Sequence, residues 1–184
     1  METSLTWSIA ESLTKAIVEH RLMPGTKLSE QKLANHFGVS RTLVRQALFH
    51  ASQNRLIKLE PTRGAFVATP SVEEARQVFA VRRMLEAEMV RNFAAQQTPS
   101  RLLELKAHVA AERKAMEAND VGQLGDFHVR MAELMGNEVL AQLLGELISR
   151  CALITLMYQS ASAAEHSHEE HADIVTALAA GDAE

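Results

Sequence analysis

Apolar residues recur at helical spacing in two neighbouring stretches of the segment 22–48. In the first stretch they are Leu33, Ala34 and Phe37, and the stretch stops at Gly38. Glycine tolerates the left-handed backbone conformation in which many helices end. The pattern therefore predicts a helix that ends at Gly38, with a tight turn after it.

The second stretch predicts another helix, with Ser40 as its N-terminal cap. Its apolar residues form one stripe, made of Leu43, Val44, Ala47, Leu48 and Ala51. Arg41, Thr42 and Arg45 fall on the opposite side, and the two arginines lie one turn apart. A guanidinium group at the start of such a helix can read guanine bidentately in the major groove of DNA, which lysine cannot do. The pattern is typical of a helix-turn-helix.

Two short β-prone runs follow at 56–67, joined by the turn residues Pro61, Thr62, Arg63 and Gly64. They predict a hairpin with Arg63 at its tip. A helix-turn-helix followed by a basic hairpin forms a winged helix, whose wing lies against the DNA backbone or the adjacent minor groove. Arg63 and Gly64 are the residues expected to make that contact.

From residue 70 onwards the pattern is helical throughout. Ser71 and Glu74 have the spacing of a capping box at the start of a long helix. The predicted helices cover 72–95, 99–118, 121–135, 138–159 and 165–180. The sequence thus predicts a mainly α fold, in which a winged helix-turn-helix domain at 1–69 precedes an all-helical bundle at 70–184.

Charge is distributed unevenly between these two domains. Residues 1–69 contain nine Lys or Arg against five Asp or Glu, a net charge of +4, and the remainder contains ten against eighteen, a net charge of −8. The basic part is expected to bind DNA, although the whole chain carries −4. A pair of arginines alone is more often a solvated helix face, but the cap, turn and wing around this pair favour DNA binding.

Composition sets further bounds on the class of protein. The 184 residues are 47% apolar, which suits two small soluble domains, and the single cysteine excludes an internal disulfide. The longest nearly apolar run, 151–158, is too short to span a bilayer, and the N-terminus lacks a signal-peptide core. We expect a cytoplasmic protein without a membrane partner.

The first domain resembles the GntR family of bacterial transcription regulators. The motifs that carry the resemblance are Pro24-Gly25, Leu28-x-Glu30, Leu33-Ala34, Gly38-Val39-Ser40-Arg41-Thr42, Val44-Arg45, Ala47-Leu48 and Arg63-Gly64. The chain departs from the family at Leu43, where proline is usual, and at Gln46, where glutamate is common. Both positions lie beside the predicted reading face, so they leave the fold intact and the operator sequence open.

The resemblance implies roles for individual residues of this domain. Two arginines would read bases, two hydroxyl side chains would bind phosphate, the wing tip would contact DNA, and a glutamine on the preceding helix would add a contact. Arg41 and Arg45 resemble the base-reading arginines, Ser40 and Thr42 resemble the phosphate-binding residues, and Gly64 resembles the wing tip. Gln31 lies where some members of the family add a contact.

An all-helical second domain narrows the resemblance to the FadR-like branch, whose C-terminal (FCD-type) domain binds effectors. The supporting motifs are Arg82-Arg83-x-Leu85-Glu86, Phe127-His128, and Glu170-His171 followed by Gly181-Asp182. The branch implies a sensor of small carboxylate metabolites, often through a divalent metal. Arg82, His128 and His171 are the implied effector-binding residues.

The family's metal site is only partly matched. An Asp four residues before the first His is replaced by Leu124, and Asp126 is expected to point to the opposite side of the helix. His128 and His171 alone would hold Zn²⁺ or Ni²⁺ weakly. The family's third histidine would lie beyond Asp182, which predicts a truncated domain. The alternative is that both histidines bind the effector carboxylate directly, without metal.

Arg82 follows the apolar residues Val78, Phe79 and Val81 on a helix expected to line the bundle. An unpaired guanidinium group would be costly in that position. Two kinds of partner would satisfy it, an anionic effector or a neighbouring carboxylate in a salt bridge, and the sequence leaves both open.

Together these features predict a homodimeric, ligand-responsive transcription regulator, since one recognition helix covers only half of a palindromic operator. Effector binding would alter operator affinity by changing the spacing of the two heads. An enzyme is not expected, because His168 and His171 are three residues apart where the zinc-protease motif needs four. The alternative function is a metabolite- or metal-binding sensor without specific DNA recognition, suggested by Leu43 and Leu124.

Overall fold

The computed structural model of the chain describes residues 2–117, 126–158 and 167–181. These residues form a mainly α fold with one small antiparallel sheet, which confirms the predicted fold class. In chain order the elements are α1 (Glu2–Val18), β1 (Lys27–Leu28), α2 (Glu30–Phe37), α3 (Arg41–Gln53), β2 (Ile57–Glu60), β3 (Gly64–Val67), α4 (Val72–Gln96), α5 (Pro99–Glu117), α6 (Phe127–Leu134), α7 (Glu138–Tyr158) and α8 (Ser167–Ala180).

The chain divides into two compact units. The head unit comprises Met1–Ala75 together with Ser149–Tyr158, and the helical unit comprises Arg76–Ile148 and Gln159–Glu184. The last part of α7 therefore belongs to the head unit, and the rest of that helix belongs to the helical unit. The domain limits 1–69 and 70–184 stay a prediction from the sequence.

The turn between α2 and α3 follows the predicted rules of helix ends. Gly38 ends α2 with a left-handed backbone, φ 66° and ψ 34°, and its N–H donates to the Ala34 carbonyl. Ser40 caps α3, and its Oγ accepts a hydrogen bond of 3.3 Å from the Leu43 N–H. These caps satisfy backbone groups that a helix end leaves without partners. The predicted helix-turn-helix is confirmed.

The core of the head unit is built around the apolar stripe of α3. Val44, Ala47 and Leu48 are each at most 2% exposed. They belong to one buried cluster with Ile9 and Ile17 of α1, an element that the sequence patterns did not predict. Burial of this stripe turns the opposite, polar side of α3 toward solvent.

The sheet of the head unit has the strand order β1-β3-β2, with both pairs antiparallel. Strands β2 and β3 form the predicted hairpin, and β1 is an additional strand that pairs with β3. Lys27 and Lys58 both lie opposite Phe66, one on each neighbouring strand. Ala65 and Val67 alternate with Phe66 and are buried. The apolar side of the sheet thus faces the core, as expected for a period of two.

The helical unit has a second core to which all of its helices contribute. Its largest fully buried side chains are Met89, Phe93, Leu105, Phe127, Met131, Leu144 and Leu178. Helix α6 begins at Phe127, after the cap Asp126, and α8 begins at Ser167. The predictions placed these helices at 121–135 and 165–180, and the residues 121–125 and 165–166 lie outside those the structure describes.

Helix α7 is long and apolar enough to meet the length and composition criteria for a membrane span. Core helices of soluble proteins meet the same criteria. In this chain Leu144 of α7 is buried in the core of the helical unit, and Leu153 is buried in the core of the head unit.

The α3 stripe generates a prediction about stability. Leu48 is 2% exposed, whereas its neighbour Phe49 is 57% exposed. We expect Leu48→Ala to lower the free energy of unfolding by about 2–5 kcal/mol, because the side chain is removed from a packed core. Phe49→Ala serves as the control and should cost much less. Urea denaturation followed by circular dichroism measures both, and equal losses would contradict the observed orientation of α3.

Candidate functional sites

The outer side of α3 presents the predicted reading residues to solvent. Arg41 and Arg45 have side chains that are 55% and 62% exposed. Thr42 lies beside them and is also exposed. Ser40 lies at the N-terminus of the same helix, where its hydroxyl caps the backbone. The structure therefore brings these four predicted DNA-contacting residues together at the start of one helix.

Both arginines are bound by one carboxylate, that of Glu30 at the start of α2. Arg41 donates from Nη2 to Oε2 over 3.1 Å, and Arg45 donates from Nε to Oε1 over 2.8 Å. The hydrogen bond from Arg45 is the main cause that lowers the pKa of Glu30, against the opposing effect of burial. The same bond raises the pKa of Arg45. Glu30 thus stays ionised and holds the two guanidinium groups close to each other.

Gln31 follows Glu30 on α2 and is exposed. Its side-chain amide donates a hydrogen bond of 3.0 Å to Oδ1 of Asn35, one turn further along the helix. This bond fixes the direction of the glutamine side chain along the surface of α2. The contact is local and leaves the carbonyl oxygen of the Gln31 amide available as an acceptor.

The tip of the wing contains Arg63 and Gly64, as predicted. Gly64 has φ 99° and Thr62, two residues earlier, has φ 64°, so the turn uses backbone conformations that favour glycine. Arg63 binds the Glu60 carboxylate and lies over the ring of Phe66, 5.4 Å from its centroid. Its side chain is still 70% exposed. The wing therefore carries an exposed cation at the tip of the hairpin.

The predicted effector residues of the helical unit belong to a cluster of charged and polar side chains. Arg82 donates from Nε to Oε1 of Glu86 over 2.5 Å, one turn along α4. Its Nη2 lies 3.5 Å from Nδ1 of His128 on α6. The same nitrogen of His128 is 3.4 Å from Oε1 of Glu86. A neighbouring carboxylate, one of the two partners that the sequence left open for Arg82, is therefore present on the same helix.

The predicted direction of Asp126 is wrong. Its Oδ1 lies 3.3 Å from Nδ1 of His128 and accepts the backbone N–H of His128 over 2.8 Å. Asp126 is the N-cap of α6 with an extended backbone, so the angular spacing of helical residues does not apply to it. Burial raises the pKa of Asp126, but hydrogen bonding and charge interaction with His128 outweigh burial and lower it.

His171 on α8 completes the cluster, and it is 7% exposed. Its ring stacks on Phe127 at 4.4 Å and meets the His128 ring edge-on at 5.1 Å. Nδ1 of His171 lies 3.0 Å from Oε2 of Glu112 on α5. These contacts fix the orientation of the imidazole and leave Nε2 as its second polar atom. The structure therefore brings Arg82, His128 and His171 together through their neighbours.

Glu112 lies between two histidines, since its Oε1 is 3.4 Å from Nε2 of His108. Burial raises the pKa of the Glu112 carboxyl, but the contacts with His108 and His171 outweigh burial and hold it at about 2. Neither His108 nor Glu112 belongs to the motifs quoted from the sequence. Their four-residue spacing places them on one side of α5, and this was the available signal.

The residues that the structure describes include two of the expected metal ligands, His128 and His171. Among the described residues, no group of three or more His, Cys, Asp or Glu side chains is arranged to hold an ion. The guanidinium group of Arg82, whose Nη2 lies 3.5 Å from Nδ1 of His128, favours an anion over a cation there. Position 124, where the family has a metal-binding Asp, lies outside the described residues.

A groove of about 700 Å³ lies between α5 and α8. Lys106, Arg113 and Thr176 are among its lining residues, whereas Arg82, His128 and His171 are not. The predicted effector residues instead contact their own carboxylates and each other. A carboxylate effector on Arg82 would meet the Glu86 carboxylate, which already accepts a hydrogen bond from Nε of Arg82.

Comparison with known proteins identifies the two parts of the chain. Residues 5–67 match the gntR family of bacterial regulatory proteins, and residues 77–184 match the FCD domain. The chain is a GntR-family regulator with an FCD domain. The GntR resemblance inferred from the head motifs is thereby confirmed. The narrower placement in the FadR-like branch stays a prediction.

Three relatives illustrate this membership of the GntR family. The HTH-type transcriptional repressor RspR of Escherichia coli (strain K12) is 29% identical over 171 residues, 90% of this chain and 75% of the relative. The HTH-type transcriptional regulator LutR of Bacillus subtilis (strain 168) is 29% identical over 188 residues, 87% of this chain and 84% of the relative. The crystal structure of a GntR transcriptional regulator from Rhodococcus sp. RHA1 is 28% identical, with a TM-score of 0.80 over 98% of this chain and 88% of that one.

These families consist of transcriptional regulators, so the GntR-family protein is not an enzyme, as predicted. Sequence reasoning missed Glu30 as a partner of Arg41 and Arg45, although Glu30 was part of the quoted motif. Glu30 precedes Arg41 by 11 positions and Arg45 by 15. No periodic pattern relates positions on two different helices.

The low pKa of Glu112 generates a prediction about acid stability. A carboxyl whose pKa falls from 4.5 to about 2 on folding contributes stability above pH 4.5 that is lost as the pH falls toward 2. We expect the wild type to lose roughly 2–3 kcal/mol more over this interval than Glu112→Gln. Urea unfolding at a series of pH values measures the difference. Glu104→Gln, on the exposed side of α5, is the control, and parallel curves for wild type and Glu112→Gln would contradict the proposed pairing.

Proposed function

We propose that this GntR-family regulator binds a palindromic operator as a homodimer and that a small carboxylate effector bound in its FCD domain modulates the binding. The observation that carries the DNA-binding half is the exposed pair Arg41 and Arg45 at the N-terminus of the capped helix α3. In helix-turn-helix proteins this end of the second helix reads base edges in the major groove.

The remaining predicted contacts supplement the arginine pair. Ser40 and Thr42 supply hydroxyl groups at the same helix end, where backbone N–H groups also favour phosphate. Arg63 and Gly64 supply an exposed wing tip suited to the DNA backbone or the minor groove. Gln31 supplies an amide on the neighbouring helix. Together these residues would contact one half-site, and a dimer is needed to cover two half-sites.

The effector half of the proposal depends on the cluster around Arg82. A carboxylate ligand would replace Glu86 on the guanidinium group and receive further hydrogen bonds from His128 and His171. Because Arg82 is only 23% exposed, its interaction with an anion is weakly screened by solvent. Direct binding by these side chains requires no metal. A chelator-sensitive response would favour the alternative, in which a divalent ion holds the effector.

Substitution of one reading arginine tests the DNA-binding half. We expect Arg45→Ala to weaken binding to a duplex selected by the wild type from a randomised library by about 1–3 kcal/mol, because a bidentate base contact is lost. Fluorescence anisotropy with labelled duplexes measures the affinity. Discrimination against a scrambled duplex should fall as well.

The matched control is Arg21→Ala, which removes one exposed positive charge from the segment after α1. It should change binding only through net charge, equally for the selected and the scrambled duplex. If Arg45→Ala behaves like Arg21→Ala, the assignment of α3 as the reading helix fails. Failure of the wild type to select any sequence would instead favour the sensor without specific DNA recognition.

Thermal stability tests the effector half. A panel of mono-, di- and tricarboxylates is screened with the wild type, with and without EDTA, since a ligand bound only by the folded state stabilises it by about 2.7 kcal/mol at a hundredfold excess over Kd. We expect a carboxylate-dependent rise in Tm that Arg82→Gln abolishes. Arg83→Gln, the exposed neighbour on α4, should retain it. A carboxylate response that survives Arg82→Gln would rule out this site.

A further inference from the structure

The contact between Glu30 and the two arginines suggests a role that the family assignment does not supply. We propose that Glu30 is a positioning residue for DNA recognition, which raises discrimination between operator and random DNA by orienting Arg41 and Arg45 and by offsetting their charge. This inference rests on the proposed function of the two arginines as base readers.

The geometry allows Glu30 to orient both arginines without blocking either. Arg45 uses only Nε, so both of its terminal nitrogens stay available, and Arg41 uses only Nη2. A guanidinium group has five N–H donors in a fixed fork, and bidentate recognition of guanine needs two of them. The side chain of Glu30 is 24% exposed, a smaller fraction than for either arginine. The carboxylate therefore holds the arginines from beneath, while their outer edges face solvent.

The electrostatic effect acts on phosphate and base contacts differently. Arg41 and Arg45 are one turn apart, a spacing at which like charges on a helix repel. Glu30 reduces the net charge of this group from +2 to +1. Attraction to phosphates depends on net charge and is independent of DNA sequence. Recognition of bases depends on the direction of the hydrogen-bond donors. Removal of the negative charge should therefore strengthen random binding and loosen the geometry that base reading needs.

A merely structural role for Glu30 is the competing explanation. Glu30 lies in the first turn of α2, where a negative charge also stabilises the helix end. The chain contains a matched carboxylate for comparison. Glu19, at the end of α1, likewise contacts two basic side chains, Lys15 over 3.6 Å and Arg21 over 2.6 Å.

The test compares Glu30→Gln with Glu19→Gln in the full-length chain. Glutamine keeps a hydrogen-bond acceptor at the same length and removes the charge. Affinity is measured for a duplex selected by the wild type and for a scrambled duplex of the same composition, at several salt concentrations. The deciding quantity is the selectivity ratio, the Kd for the scrambled duplex divided by the Kd for the selected duplex. A uniform loss of folded protein does not change this ratio.

For Glu30→Gln we expect this ratio to fall about fivefold or more, the lower range for one bidentate base contact. The salt dependence of binding to scrambled DNA should steepen by about one unit of log–log slope, as for one additional neutralised phosphate. Glu19→Gln should leave the ratio unchanged. A ratio for Glu30→Gln equal to that of the wild type and of Glu19→Gln would overturn the inference, whatever happens to the absolute affinities.

Glu30→Asp separates the two effects and covers the case in which Glu30→Gln does not fold. It retains the charge with a shorter reach, so the salt dependence should stay at the wild-type value while the ratio falls. An unchanged ratio for Glu30→Asp alongside an unchanged ratio for Glu30→Gln would leave Glu30 with a structural role only.

The Arg45→Ala variant distinguishes failure of this inference from failure of the proposed function. If Arg45→Ala loses selectivity but Glu30→Gln keeps the wild-type ratio, only this inference is overturned. If Arg45→Ala keeps the wild-type selectivity, the proposed function itself is overturned.

Discussion

Burial of one side of α3 is the interaction on which the head unit depends. Val44, Ala47 and Leu48 pack against Ile9 and Ile17 of α1 within a single apolar cluster. A helix held along one stripe cannot rotate about its axis without exposing that stripe to water. The direction of every outward-facing side chain of α3 follows from this constraint. The arginines face solvent because the leucines opposite them do not.

The cations proposed to bind ligands in this protein are already paired with carboxylates. Glu30 contacts two arginines of α3, Glu60 contacts Arg63 of the wing, and Glu86 contacts Arg82 in the helical unit. In the head unit these pairs are exposed and contribute little to stability, so their main effect is on the direction and net charge of the cations.

The ion pairs around Arg82, His128 and His171 in the helical unit differ from those in the head unit, because their side chains are largely buried. A buried charge without a partner is costly, and the carboxylates of Glu86, Glu112 and Asp126 meet this requirement for the surrounding arginine and histidines. An anionic effector would have to compete with these groups. In the function proposed above, effector binding in the FCD domain would therefore rearrange these ion pairs.

The amino-acid sequence by itself determined the elements whose causes are local. Gly38 ends a helix, Ser40 caps the next, and the spacing from Leu43 to Ala51 selects the buried side of α3. These features depend on neighbouring residues in one chain segment, so periodicity and turn chemistry are sufficient to predict them. The tertiary structure alone decided which carboxylate faces which cation, because Glu30 and Arg45, or Glu112 and His171, lie on separate helices. It also decided the direction of Asp126, since a residue before a helix does not follow helical geometry.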